Sequence, residues 1–347
     1  MINWPIYSKI IGSGLYLPEW KVTNDKLIDI TGIDSNNEWI IGRTGIEARN
    51  IGLANETNAT MAVEASRKAI ERVRAIDEIN GHGYSPIELI VCATNTSCGA
   101  KDSRAGFPCV AGHVQAELSD FFVEECGIFD LQSGCTGTVY ALAVADGLIR
   151  CGDYNRIMVI GTDKLSDVTD FSDRTTCVLL SDGAVAYVLS RSDKQGFVGH
   201  RLHGDGKKAH YITSPLIERR IIYDNKRILS PAIVMDGKKV HEDVSALVAD
   251  IIVNFPEDKA LNPDGISFNE IKAIFAHQAN KRTFTHAAKT AARRLNAGNN
   301  ITWQDILNKI VITIGDHGNN STASIGPGWE KLIYGQEPLQ EGDHVLM

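Results

Sequence analysis

No stretch of this chain stays apolar for long enough to cross a bilayer. The opening MINWPIYSKIIGSG, interrupted by Pro5 and Lys9, lacks the apolar core of a secretory signal, so a cytoplasmic protein is expected. No CxxC pair occurs. The seven cysteines (Cys92, Cys98, Cys109, Cys126, Cys135, Cys151 and Cys177) are odd in number and scattered, which argues against a disulfide framework or a structural zinc. Positive charge is not in excess either. The net charge of −8 argues against a general nucleic-acid-binding role. There is no short-period repeat and no low-complexity linker. What remains is an ordinary globular composition, 43% hydrophobic and 22% charged. Its 347 residues suit two domains, or one domain built from two similar halves.

Residues 129–152, FDLQSGCTGTVYALAVADGLIRCG, are the most informative stretch. An apolar run, Ile128 to Leu131, leads into a Ser133-Gly134 corner, then Cys135. Val139, Leu142, Ala143, Ala145 and Leu148 then recur at helical spacing. The segment reads as strand, corner, cysteine, helix. A thiol at a helix start meets unpaired N–H groups and the positive end of the helix dipole, so a lowered thiol pKa is expected. A free cysteine without such a setting is a small buried hydrophobe.

Elsewhere strand-like and helix-like runs alternate. Residues 7–17 read as a strand broken by two glycines. Its GSG lacks the third glycine and the βαβ setting of a dinucleotide loop. Ser35-Asn-Asn-Glu38 reads as a capping box before a short helix. Thr57–Arg74 and Lys281–Leu295 read as helices, as does a segment from about Gly237 to Val253. Strands are expected at Ile87–Ala93, Arg156–Thr162, Phe197–His203, Ile271–Ala276, Ile310–Ile314 and His344–Met347. Cys177–Leu180 and Ala184–Ser190, around Ser181-Asp182-Gly183, read as a hairpin. A further helix is expected from Phe107-Pro108, and Ser267–Glu270 is a second capping box. Strand–helix alternation on both sides of residue 190 argues an α/β protein with two related layers.

Three polar residues fall at the ends of expected strands: Cys135, His277 and Asn319. A nucleophilic set can be assembled from such widely separated residues. Taken singly, His277 also fits a satisfied core histidine and Asn319 a turn residue. Trp39 and Arg43 lie four apart on one helix face, a possible platform for a nucleotide-bearing cofactor or simply a packed Trp beside a solvated Arg. Arg282, His286, Lys289 and Arg293 share a helix face, a basic stripe on an acidic chain that suits an acidic partner.

Six motifs in order resemble the β-ketoacyl-acyl carrier protein synthase III family of the thiolase superfamily. They are KIIGSGLYLPE (9–19), NEWIIGRTGIEAR (37–49), FDLQSGCTGTVYAL (129–142), SDGAVAYVL (181–189), HQANKR (277–282) and HGNNSTAS (317–324). The resemblance runs along nearly the whole length. It implies an α/β, thiolase-like five-layer αβαβα fold from two duplicated halves, and a homodimer. Residues 1–190 would carry the nucleophilic cysteine and residues 191–347 the His and Asn. It also implies a decarboxylative Claisen condensation. A short acyl-CoA would acylate Cys135, and malonyl-acyl carrier protein would then bind. His277 and Asn319 would hold its thioester oxygen while carbon dioxide leaves. Substrates would be coenzyme A thioesters and phosphopantetheine-linked chains, with no bound cofactor or metal. By position, Trp39, Arg43 and Arg174 would contact the nucleotide end of coenzyme A, and Asn280 its pantetheine arm. Arg282, with Lys289 and Arg293, would dock the acyl carrier protein. Phe107 would limit the acyl pocket across the dimer interface.

The chain also departs from the family pattern. Gly134-Cys135-Thr136-Gly137 replaces the usual Ala-Cys, and KDSRAG (101–106) alters the loop before Phe107. Asp316 stands where a basic residue is common. His241 stands where the family often places an apolar acyl-pocket residue, which points to an unusual or polar starter. The sequence stops at Met347, where the family continues with a strand and a glycine-rich oxyanion loop, so a longer natural chain is expected. Alternatives are a same-fold acyltransferase acting without condensation and a non-catalytic carrier-protein-binding partner. A hydroxymethylglutaryl-CoA synthase would need a glutamate base after Ile87–Ala93, where the loop reads Thr94-Asn-Thr-Ser-Cys-Gly.

Overall fold

The computed structural model describes residues 6–97, 108–295, 301–336 and 338–347. Its first region contains β1 (Tyr7–Tyr16), β2 (Lys21–Thr23), α1 (Asn24–Thr31), α2 (Asn37–Thr44), β3 (Ala48–Asn50), α3 (Asn58–Ile79), β4 (Ile87–Ala93), α4 (Val110–Glu117), β5 (Phe122–Leu131), α5 (Gly137–Cys151), β6 (Arg156–Lys164) and β7 (Asp182–Ser192). After these come β8 (Ile212–Thr213), β9 (Leu216–Arg220), β10 (Arg227–Pro231), β11 (Val234–Met235), α6 (Gly237–Asn254), β12 (Ile271–Ile274), α7 (Lys281–Leu295), α8 (Trp303–Lys309), α9 (Ile314–His317), α10 (Gly326–Ile333) and β13 (His344–Leu346). Phe107 and KDSRAG (101–106) lie outside the described residues. No helix among the described residues is long and apolar enough to cross a membrane.

Five strands form one mixed sheet in the order β1-β7-β6-β4-β5. β4 runs parallel to β5 and β6, while β7 is antiparallel to β1 and β6. Both faces are covered, so the middles of the inner strands are apolar. On one face Ile90, Cys92, Met158, Ile160 and Ala186 pack against α3 and α4. On the other, Leu89, Val91, Val159, Val185 and Tyr187 pack against α5, and Trp329 of α10 joins them. β12 repeats this two-sided alternation. Ala273 and the adjoining Phe275 face the α5–α10 layer, while Ile271 and Ile274 face α6, α7 and α8. The layers are therefore α3 with α4, the sheet, α5 with α10, the parallel β12–β13 pair, and α6 with α7 and α8. This is the thiolase-like αβαβα order.

The GSG of β1 is a packing device. A Cβ on Gly14 would lie 2.2 Å from the Ala65 carbonyl oxygen of α3, so only glycine lets helix and strand approach this closely.

Several local expectations are corrected. The cap of α2 is Asn36, whose Oδ1 accepts from Trp39 N–H at 2.8 Å, and the Ser35 hydroxyl is buried without a partner. Ser181-Asp182-Gly183 makes no hairpin. β7 begins at Asp182, whose carboxylate accepts from Gly52 N–H and from the N–H and hydroxyl of Ser166. Phe197–His203 forms no strand. Its polar contacts run through side chains, His200 to Asp146 and Arg201 to Asp258, instead of a backbone ladder. Of Ile310–Ile314 only Ile310 pairs, as a bridge to Ile274, because α9 starts at Ile314.

Candidate active site

Cys135 follows β5 through a corner made by Gly134 at φ +57°. Thr136 caps α5 by position, its hydroxyl turned back to the Ser133 carbonyl at 3.0 Å. The half-buried sulfur accepts a hydrogen bond from the Ser321 hydroxyl at 3.5 Å. The expectation of a lowered thiol pKa is reversed. Burial pushes the Cys135 thiol up, the Ser321 hydrogen bond opposes this, and the nearby Asp163 carboxylate adds to it. Desolvation of the thiolate by burial outweighs what the helix start offers.

His277 follows β12, with Nδ1 2.7 Å from the Ser324 hydroxyl. Burial lowers its pKa to about 4, against a hydrogen bond to the Ser321 backbone and the field of Asp163. The imidazole is therefore neutral at pH 7. Asn319 is buried, and its Oδ1 accepts from Ser321 N–H at 2.9 Å. Its backbone is tied to β7's approach, Asn319 N–H to the Leu179 carbonyl and Ser181 N–H to the Asn319 carbonyl, both at 2.9 Å. Cys135, His277 and Asn319 thus meet around one residue, Ser321.

Under them lies Asp163, fully buried near the end of β6. Its Oδ1 accepts from Thr94, Asn95 and Thr96, and its Oδ2 from Asn95 Nδ2 and from both the N–H and hydroxyl of Thr322. Ser321, Asn95 and Asp163 were not singled out from the sequence. Ser321 stands inside the HGNNSTAS motif, and Asp163 is a charged residue at the end of an apolar strand. Those two signals could have found them.

A second cluster forms a groove lined by Glu38, Trp39, Gly42, Arg43 and Arg282. Arg174 and Arg43 approach the Trp39 ring, at 4.9 and 5.9 Å from its centroid. Arg174 also contacts the Asp34 carbonyl. Asn280 Nδ2 donates to the Arg43 carbonyl at 3.1 Å, joining the groove to the residues after His277. Arg282, expected to face the carrier protein, shares this groove with Trp39 and Arg43. Lys289 and Arg293 are exposed further along α7, with Lys289 Nζ 5.0 Å from the Trp303 centroid. His241, on α6, turns to α7, with Nδ1 3.0 Å from the Thr283 hydroxyl and its ring 5.6 Å from that of His286. Its Nε2 is buried without a partner. It makes no hydrogen bond to the Cys135 cluster among the described residues. Phe107 lies outside the described residues.

The family model for 3-oxoacyl-[acyl-carrier-protein] synthase III matches residues 129–206, the segment that holds Cys135 and Asp163. Among solved structures, the chain is similar to 3-oxoacyl-[acyl-carrier-protein] synthase III from Aquifex aeolicus VF5. The two share 29% identity over 97% of this chain and 94% of that one, with a TM-score of 0.76. The β-ketoacyl-[acyl carrier protein] synthase III of Thermus thermophilus is 28% identical over 97% and 93%, again at 0.76. The priming β-ketosynthase of the R1128 polyketide biosynthetic pathway is 28% identical over 94% and 87%, at 0.73. Layer order, motifs and these matches agree: over nearly its whole length the chain is similar to 3-oxoacyl-[acyl-carrier-protein] synthase III proteins and shares their thiolase-like fold.

Proposed function

We propose that the protein is an acyl-transferring condensing enzyme that joins an acyl group from coenzyme A to a malonyl unit on acyl carrier protein. Cys135 attacks the acyl-CoA thioester, and coenzyme A leaves as thiol. An oxyanion hole that includes the Cys135 N–H stabilises the tetrahedral intermediate. His277 and Asn319 then hydrogen-bond the malonyl thioester oxygen. The bond to the carboxylate breaks, carbon dioxide departs, and the electron pair stays on the enolate. The enolate carbon attacks the acyl carbonyl and expels the Cys135 sulfur.

The observation that carries this reading is the meeting of three residues from distant parts of the chain at Ser321. A histidine kept neutral suits a donor to a developing oxyanion better than a base beside a nucleophile. The groove at Trp39, Arg43, Arg174 and Asn280 takes the nucleotide and pantetheine of coenzyme A. Arg282, Lys289 and Arg293 face the acidic carrier protein, with Arg282 serving both partners. His241 and, by resemblance alone, Phe107, which lies outside the described residues, are assigned to the acyl pocket of a polar or unusual starter. Residues 1–190 and 191–347 are the two halves. Among the described residues β5 is an edge strand with exposed Ile128 and Phe129, and Val144 of α5 is exposed as well. An uncovered apolar edge of this kind supports a homodimer across β5. The reaction needs no metal, and its substrates belong to fatty-acid or polyketide-type synthesis in the cytoplasm.

The test is carbon dioxide release and product analysis with acyl-CoA and malonyl-carrier protein. A β-ketoacyl product formed with stoichiometric carbon dioxide is expected. Acyl transfer to another acceptor, with no carbon dioxide, would favour the plain transferase instead.

A further inference from the structure

A hydrogen-bonded chain of fixed direction ends on the sulfur. Asp163 is fully buried and, when ionised, can only accept. That orients the Asn95 amide: Nδ2 faces Asp163 Oδ2 at 3.1 Å, while Asn95 N–H donates to Oδ1 at 2.7 Å. Nδ2 has two hydrogens, and the second points to the Ser321 hydroxyl oxygen at 3.2 Å. Ser321 therefore accepts from Asn95, and its single hydrogen is left for Cys135 Sγ at 3.5 Å. Ser321 is 1% exposed and has φ +49°, a conformation serine rarely adopts. Strain of this kind persists only where the surroundings over-determine it, and it collects at functional sites.

We propose that Ser321 is a further catalytic residue, whose hydroxyl, aimed by Asn95 and Asp163, donates the hydrogen bond that stabilises the Cys135 thiolate and holds the sulfur in place. Among the described residues the titratable group whose field reaches the sulfur is Asp163, from β6, while His277, after β12, meets the backbone of the same Ser321. Asp163 is an acid whose oxygens accept from backbone N–H groups and His277 is neutral at pH 7, so neither supplies a cation to the thiolate. A directed neutral donor takes that part, and hydrogen bonds to charged groups are the stronger ones. The inference deepens the proposed role of Cys135 as nucleophile.

The test is the pH dependence of Cys135 alkylation by iodoacetamide, quantified on the Cys135 peptide by mass spectrometry. It needs neither acyl-CoA nor carrier protein, so its outcome is separate from that of the condensing reaction. In Ser321→Ala the midpoint is expected to rise by about one to two pH units. Asn95→Ala leaves the hydroxyl but frees its direction, and a smaller rise is expected. A purely structural role would lower thermal stability without moving the midpoint. An unchanged midpoint in folded Ser321→Ala overturns the proposal. If that variant does not fold, Asn95→Ala decides alone: a raised midpoint supports the proposal and an unchanged one overturns it.

Discussion

The five-stranded sheet and the β12–β13 pair both end at the site, but they hold their groups differently. Asp163 lies in β6, whose register is fixed on both sides by β4 and β7 and whose faces are both buried, and the Cys135 corner continues β5, held in parallel register by β4. His277 continues a short strand, and Asn319 lies in a loop with no ladder of its own. That loop is positioned by the first region instead. Leu179 and Ser181 bind the Asn319 backbone, Asp163 binds Thr322, and the Thr138 hydroxyl donates to the Thr322 carbonyl at 2.6 Å. The nucleophile side is built in, whereas the donor side is borrowed across an interface between layers. Damage to the interface should therefore harm decarboxylation more than acylation.

The sharpest break of this comparison is removal of a donor. His277→Ala or Asn319→Ala should cut carbon dioxide release by on the order of 10²–10³. Acylation of Cys135 should stay within severalfold of the original. Rapid-quench measurement of both steps checks this. Next is the interface. A Cβ on Gly161 would lie 1.9 Å from the Thr138 hydroxyl and 2.8 Å from the Thr322 carbonyl. Gly161→Ala should destabilise the fold by about 1–3 kcal/mol, read in a denaturant titration. It should also slow decarboxylation more than acylation. On α7, Lys289→Glu with Arg293→Glu should raise KM for the carrier protein roughly tenfold at low salt and leave the KM for acyl-CoA unchanged. Arg282→Glu, in the shared groove, should raise both, and steady-state kinetics on the two substrates separates these outcomes. The smallest effect near neutrality is that of pH. His277 gains its charge only near pH 4, not near 6.5. Carbon dioxide release by pre-acylated enzyme should stay flat from pH 8 to 6 and fall only as pH drops towards 4.

Where periodicity was long, the sequence was legible. β4 and α7 match their expected bounds, because buried strands and amphipathic helices carry a repeating pattern. The reading failed where tertiary contacts decide. Phe197–His203 has strand-like composition but no ladder partner among the described residues, and Asp182 opens a strand because its carboxylate is consumed by Gly52 and Ser166. The same holds for the site. Cys135, His277 and Asn319 were legible as motif residues. The raised thiol and the Asp163–Asn95–Ser321 chain were not, because burial and the direction of a hydrogen bond exist only once four loops have met.

The central claim is that Cys135 carries the acyl group. Intact-protein and peptide mass spectrometry after incubation with a panel of acyl-CoAs tests it most directly. One acyl adduct on the Cys135 peptide, absent from Cys135→Ala, is the predicted result. No adduct with any acyl-CoA, or an adduct that persists in Cys135→Ala, would contradict the account.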